Sequence, residues 1–110
     1  MRRSSESQRG GTIRSASKHL LGSSDRLHVA ASIAAREGDL VYASELAREL
    51  NLPDAVVSRE LRKFSAGGVL RVHERLSGNQ PVYYERLPSP YWSSAQALLA
   101  HLEDQVTATH

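Results

Sequence analysis

The stretch from Ala43 to Leu76 constrains this chain most, because the spacing of its apolar residues changes character within a few turns of chain. In ASELARELNLPDAVVSRELRKFSAGGVL the apolar positions include Leu46, Ala47, Leu50, Leu52, Val57, Leu61, Phe64 and Leu70. Val57, Leu61 and Phe64 recur at the four-then-three spacing that buries one face of a helix. Ser58, Arg59, Arg62 and Lys63 therefore point elsewhere. Between the two apolar runs, Asn51-Leu52-Pro53 ends one helix and starts another: proline disfavours helical geometry in the residue before it and suits the first turn of the helix after it. The stretch predicts a short helix over about 43–50, a tight turn, and a second helix from Pro53 or Asp54 to Ala66. Asp54 is the expected cap of the second helix, and Ser44 and Glu45 sit at the favourable, positive end of the first. Gly67 and Gly68 supply a terminator that tolerates positive φ.

After the glycines the period becomes two. In VLRVHER, Leu70 and Val72 face one way and Arg71, His73 and Arg75 the other; in PVYYERL, Val82 and Tyr84 alternate with Tyr83 and Glu85. Ser77, Gly78 and Asn79 between them are turn formers, so residues 69–87 predict a β-hairpin with an exposed tip, closed by Pro88 and Pro90. Upstream, Ser24 or Asp25 caps a helix that carries Leu27, Val29, Ala30, Ala31, Ile33 and Ala34 and stops at Gly38; Leu40 to Tyr42 is a brief extended piece. Thr12 to Leu21 predicts a short helix with Ile13, Ala16, Leu20 and Leu21 inward. Residues 1–11, MRRSSESQRGG, lack apolar periodicity and read as a disordered basic arm in front of a single domain over 12–110. The last helix, about 93–106, continues a stripe of Trp92, Ala95, Leu98, Leu99, Leu102 and Val106. A stripe with no evident cover in its own chain predicts a dimerisation helix.

Length and composition narrow the rest. A chain of 110 residues, 40% apolar but with one Phe and one Trp, builds one modest core from Leu, Val and Ala, which suits helices. The absence of cysteine excludes disulfides, thiolate zinc sites and cysteine nucleophiles. No apolar run approaches the roughly 18 to 20 residues of a membrane span, and no apolar segment follows the basic N-terminus, so the expectation is a cytoplasmic protein without membrane contact. With no nucleophile motif, phosphate-binding glycine loop or metal-ligand cluster, no enzyme activity, cofactor or metal is expected. The net charge of +2 conceals an uneven distribution. Arg2, Arg3, Arg9, Arg14 and Lys18 oppose Glu6 alone, and Arg59, Arg62, Lys63, Arg71 and Arg75 oppose Glu60 and Glu74. The segment between these zones, Asp25 to Asp54, is acidic. Two basic zones split by an acidic one match a protein with a single nucleic-acid-facing side.

A short helix that buries one stripe and offers hydroxyl and guanidinium groups on the other fits a DNA major groove. With helices, turn and hairpin placed, SELAREL, LPDAVVSRELRKFSAGGVL and PVYYERL resemble the winged-helix regulators of the ArsR and MarR type over Asp25 to Leu87. The likeness is closest to the ArsR pattern, without that family's cysteine metal site. It implies a fold that is mainly α with a small β-hairpin wing, in which Leu40 to Tyr42 joins the wing as a third strand. It implies double-stranded DNA as partner and a homodimer; one recognition helix per chain then predicts a near-palindromic operator, and the small size, with no second domain to recruit polymerase, makes a repressor the expectation. Matched to this chain, the DNA-facing residues are Asp54, Ala55, Val56, Ser58, Arg59, Arg62 and Lys63, with Ser44 at a phosphate. Arg59 is the candidate for a guanine, Arg62, Lys63 and Arg75 for phosphates, and Asn79 and Gln80 for contacts from the wing tip. His101 and Asp104 stand three apart on the last helix with His110 beyond, where surface polarity accounts for them better than a metal does. The competing class is a winged-helix protein-interaction module, whose groove-sized face meets another protein instead of a duplex.

Overall fold

The computed structural model describes residues 5–73 and 82–108, with side chains for 11–73 and 82–107. In chain order the elements are α1 (Ser5–Leu21), α2 (Arg26–Ala35), β1 (Leu40–Tyr42), α3 (Ala43–Leu50), α4 (Asp54–Ala66), β2 (Leu70–His73), β3 (Tyr83–Arg86) and α5 (Pro90–Ala108). The strands form one antiparallel sheet in the order β1, β3, β2, with Val41 and Val72 both opposite Tyr84. Leu40 to Tyr42 thus joins the hairpin as its third strand. Val41 and Tyr84 are buried, whereas Val72 on the edge strand β2 is 45% exposed.

Leu27, Val29, Ala30 and Ile33 of α2 are fully buried, and α2 packs against α1, α3, α4 and α5. The small residues around its girth permit this approach from several sides. Its ends are closed by other elements. Asp25 occupies the N-cap position but makes no capping bond with its side chain, which instead pairs with Arg14. The hydroxyl of Ser17, buried on α1, accepts from the Leu27 backbone N–H at 3.1 Å and donates to the Ser23 carbonyl at 2.6 Å. A side chain from α1 therefore does the work expected of Ser24 or Asp25. At the other end α2 stops at Ala35, short of Gly38, and the Arg86 guanidinium donates to the carbonyls of Ile33, Ala34 and Arg36 at 2.6, 3.2 and 3.2 Å. The Ile33 carbonyl also accepts the Arg36 backbone N–H at 3.2 Å, and those of Ala34 and Arg36 are at the helix end, where carbonyls lack intrahelical donors. Arg86→Ala is expected to lower stability by about 1.5 to 3 kcal/mol, the range for hydrogen bonds from a charged donor, and a urea midpoint measures it.

Two helix starts and two side-chain placements depart from the sequence expectation. Helix α1 begins at Ser5 rather than Thr12, so residues 5–11 are helical where a disordered arm was expected. Once Ile13 and Ser17 pack, extension toward the N-terminus proceeds by propagation, which costs far less than nucleation. Leu20 is 62% exposed, because Ser17 and not Leu20 meets the start of α2. Helix α5 begins at Pro90, not near Ser93: the Ser89 Oγ accepts the Tyr91 N–H at 3.0 Å, which makes Ser89 the cap and Pro90 the first helical residue. Asp54 makes no capping bond either; it lies inside the first turn of α4, where its charge favours the positive helix end. As expected, Asn51 ends α3 in the left-handed region at φ 57°, and Gly68 follows α4 at φ +84°.

His28 on α2 is half-buried, and that burial lowers its pKa below the ordinary 6.5. Asp25 pulls it up, Arg14 pushes it down and Glu103 pulls it up again, each by less than burial lowers it. A histidine depressed in the folded state leaves stability intact above pH 6.5, and stability falls as pH drops below 6.5 because the unfolded chain takes the proton first. His28→Gln is expected to flatten the loss of thermal midpoint between neutral and mildly acid buffer.

Candidate nucleic-acid interface

Helix α4 is divided lengthwise. Val57 and Leu61 are fully buried and Phe64 nearly so, its ring 5.7 Å from that of Trp92 at 72°, an edge-to-face contact that ties α4 to α5. Arg59, Arg62 and Lys63 are exposed. Among the described residues none of the three forms an ion pair, whereas Arg14, Arg26, Arg36, Arg71 and Arg86 each have a carboxylate partner. The outer strip of α4 is thus uncompensated positive charge on a firmly anchored helix.

Ser44, Asp54, Ser58 and Arg62 line one cleft of about 460 Å³ between the start of α3, the front of α4 and strand β3, together with Tyr42, Ala43, Val82 and Tyr84. Ala55 and Arg59 are exposed and Val56 is half-buried. Lys63 borders a different hollow, of about 220 Å³, shared with Arg26, Phe64, Gly67, Val69 and Tyr91. Burial there raises the Tyr91 pKa above its ordinary value, against the pull of Arg26. Arg75, Asn79 and Gln80, expected at the wing tip, lie outside the described residues. His101 and Asp104 are exposed on α5; His110 lies outside the described residues, among which no group of three or more potential ligands gathers.

The stripe expected at a subunit interface is corrected in part. Trp92 and Ala95 are each 6% exposed within their own chain, and the Trp92 indole N–H donates to the Leu87 carbonyl at 2.9 Å. Both residues belong to the core, because α5 starts earlier and packs along α2. Leu98, Leu99 and Leu102 rest half-buried against that core, and Val106 is half-buried beyond them.

Two residues escaped the sequence reading. Glu60, counted there as an offset to the basic zone, is 3% exposed. Its position three after Val57 and four before Phe64 places it inside the buried stripe, and that spacing was the signal. Arg48 is exposed and, among the described residues, unpaired, one turn beyond Ser44 on α3.

Helix, strand, two helices across a tight turn, hairpin and closing helix, in that order, make a winged helix-turn-helix fold, mainly helical with a small three-stranded sheet. A structure described as a MarR family transcriptional regulator from Listeria monocytogenes complexed with 26mer DNA superposes with a TM-score of 0.67 over 94% of this chain at 12% identity. A MarR family protein from Mycobacterium tuberculosis in complex with p-aminosalicylic acid gives 0.65 over 96% at 19% identity. The zinc-dependent MarR family regulator AdcR in its Zn(II)-bound state gives 0.52 over 76% at 18%. This chain spans 67%, 82% and 54% of those three chains respectively. All three are of the MarR type and do not single out the ArsR-like pattern. No protein-family model matches the chain, and no curated protein matches it in sequence.

Proposed function

We propose that this protein is a sequence-specific regulator of transcription that binds double-stranded DNA through α4 and the hairpin. The cationic strip of Arg59, Arg62 and Lys63, exposed and without an ion pair among the described residues, opposite an anchored apolar face, carries the reading. The likeness of the fold to a regulator crystallised with DNA supports it. Arg59 stands where a guanidinium can take both acceptors of a guanine, while Arg62, Lys63, Ser44 and Arg48 border the flanking phosphates. Asp54, Ala55, Val56 and Ser58 line the approach of α4 to the groove; Arg75, Asn79 and Gln80 complete the contact from the wing. No described helix is long and apolar enough to cross a membrane. The proposed contact with DNA, and not that absence, is the ground for placing the protein in the cytoplasm.

One recognition helix reads few base pairs, so the operating unit is a homodimer whose two α4 helices meet a near-palindromic site about 34 to 36 Å apart. The half-buried Leu98, Leu99 and Leu102 of α5, with Val106 beyond, supply the shared face. Among the described residues there is no second domain with which to recruit polymerase, and so small a regulator, bound where polymerase must bind, would act as a repressor by exclusion. Binding of a labelled random duplex at low salt, followed by selection from a random pool, tests the reading. Measurable low-salt affinity and a selected site with twofold symmetry are expected. No affinity would leave the protein-interaction module as the better account. Sedimentation equilibrium should return twice the chain mass at micromolar concentration, and a monomer there removes the dimer.

A further inference from the structure

We propose that the polar cluster of the buried Glu60 with the half-buried Ser23 and Arg26 sets the rotational position of α4 and thereby decides which base edges its outward residues reach. The inference rests on the DNA-binding reading above. The Glu60 carboxylate is gripped at both oxygens: Arg26 Nε donates to Oε1 at 2.7 Å, and the Ser23 hydroxyl donates to Oε2 at 2.8 Å. Each donor is itself held. Arg26 also donates to the Leu21 carbonyl, and the Ser23 carbonyl accepts from the buried Ser17 hydroxyl. A chain of hydrogen bonds therefore runs from the middle of the recognition helix to the turn between α1 and α2.

Directed hydrogen bonds add precision to what apolar packing supplies. Val57, Leu61 and Phe64 hold α4 to the core, but the free energy of burying them is non-directional and sets the helix's rotation less sharply than directed bonds do. A carboxylate held at two points by charged and hydroxyl donors resists small rotations about the helix axis, since hydrogen bonds weaken steeply with angle and distance. The sensitivity at the groove is geometric. At the helix surface, about 6 Å from the axis, a rotation of roughly 10° sweeps a side chain through about 1 Å. That exceeds the roughly half-ångström range of good N–H···O distances, so a bidentate contact from Arg59 to a base is lost. Contacts to phosphate oxygens persist, because an ionic contact to a phosphate accepts many directions of approach, whereas a two-point contact to a base edge accepts one. Stability alone does not account for the cluster, because a buried ion pair is often replaceable by apolar residues of similar volume without loss.

The test compares the full chain with its Arg26→Met/Glu60→Leu double variant. Affinity is measured for the duplex selected by the unaltered protein and for a random duplex of equal length at the same salt, alongside the thermal midpoint. The double variant is expected to keep or raise its midpoint, to bind the random duplex within twofold of the parent, and to lose at least tenfold in the selected-to-random ratio. An unchanged ratio in a folded variant overturns the inference and leaves the DNA-binding reading standing. Should the double variant fail to fold, Ser23→Ala removes one of the two grips, and a ratio that falls or stays decides the matter in the same way. If the unaltered protein binds neither duplex at low salt, both the reading and the inference fall.

Discussion

Arg59→Ala is expected to weaken binding to the selected operator by about 1 to 3 kcal/mol, the discrimination carried by one bidentate base contact, while random duplex is held almost as before. Arg62→Ala and Lys63→Ala should behave in the opposite manner. Each removes a phosphate contact, so affinity falls on every sequence and the log-log salt slope flattens by about 0.9 per residue. Fluorescence titrations at several salt concentrations separate the two classes of variant. The difference arises from one structural fact: all three side chains leave the same anchored helix, and among the described residues no carboxylate pairs with any of them. An Arg59→Ala protein that lost selected and random duplex equally would show that Arg59 meets backbone rather than bases.

Glu60→Ala is the second large effect, and it acts on stability. Glu60 and Arg26 have side chains only 4% and 17% exposed, and removal of the carboxylate leaves the guanidinium buried without its counter-charge. Breaking a buried pair from one side costs about 3 to 5 kcal/mol, a large share of the 5 to 15 kcal/mol that holds a small domain together. Chemical denaturation should show the midpoint fall steeply for Glu60→Ala. The contrast with the midpoint expected of Arg26→Met/Glu60→Leu is itself informative: the single change leaves an unpaired, largely buried charge at the edge of the core, whereas the double change removes both. A Glu60→Ala protein as stable as the parent would mean that Arg26 finds solvent instead, and that the turn between α1 and α2 is looser than its hydrogen bonds indicate.

Much of the fold was legible before any coordinates. The spacing of Val57, Leu61 and Phe64 named the buried face of α4, and Asn51-Leu52-Pro53 named the turn before it. The alternation in VLRVHER and PVYYERL named the hairpin strands. The candidate interface was legible to the same degree, since whatever did not belong to the stripe had to face outward, and Arg59, Arg62 and Lys63 do. The misplacements share a cause. Trp92 and Ala95 were assigned to a second subunit because the sequence does not display α2 lying alongside α5. Pro90 was assigned to the end of the hairpin because a proline serves equally to close a strand and to open a helix.

What the sequence determined by itself is the set of local properties: helix and strand periods, turn chemistry at Asn51 and Gly68, and the oily and cationic halves of α4. Those follow from residues within a few positions of one another, which share a backbone geometry whatever surrounds them. Only the tertiary structure decided that Glu60 answers to Arg26 across 34 residues, that Arg86 closes α2 across 53, and that Ser17 caps a helix other than its own. Such pairings depend on hydrogen bonds of narrow angle and length between segments whose separation along the chain carries no trace of their nearness in space.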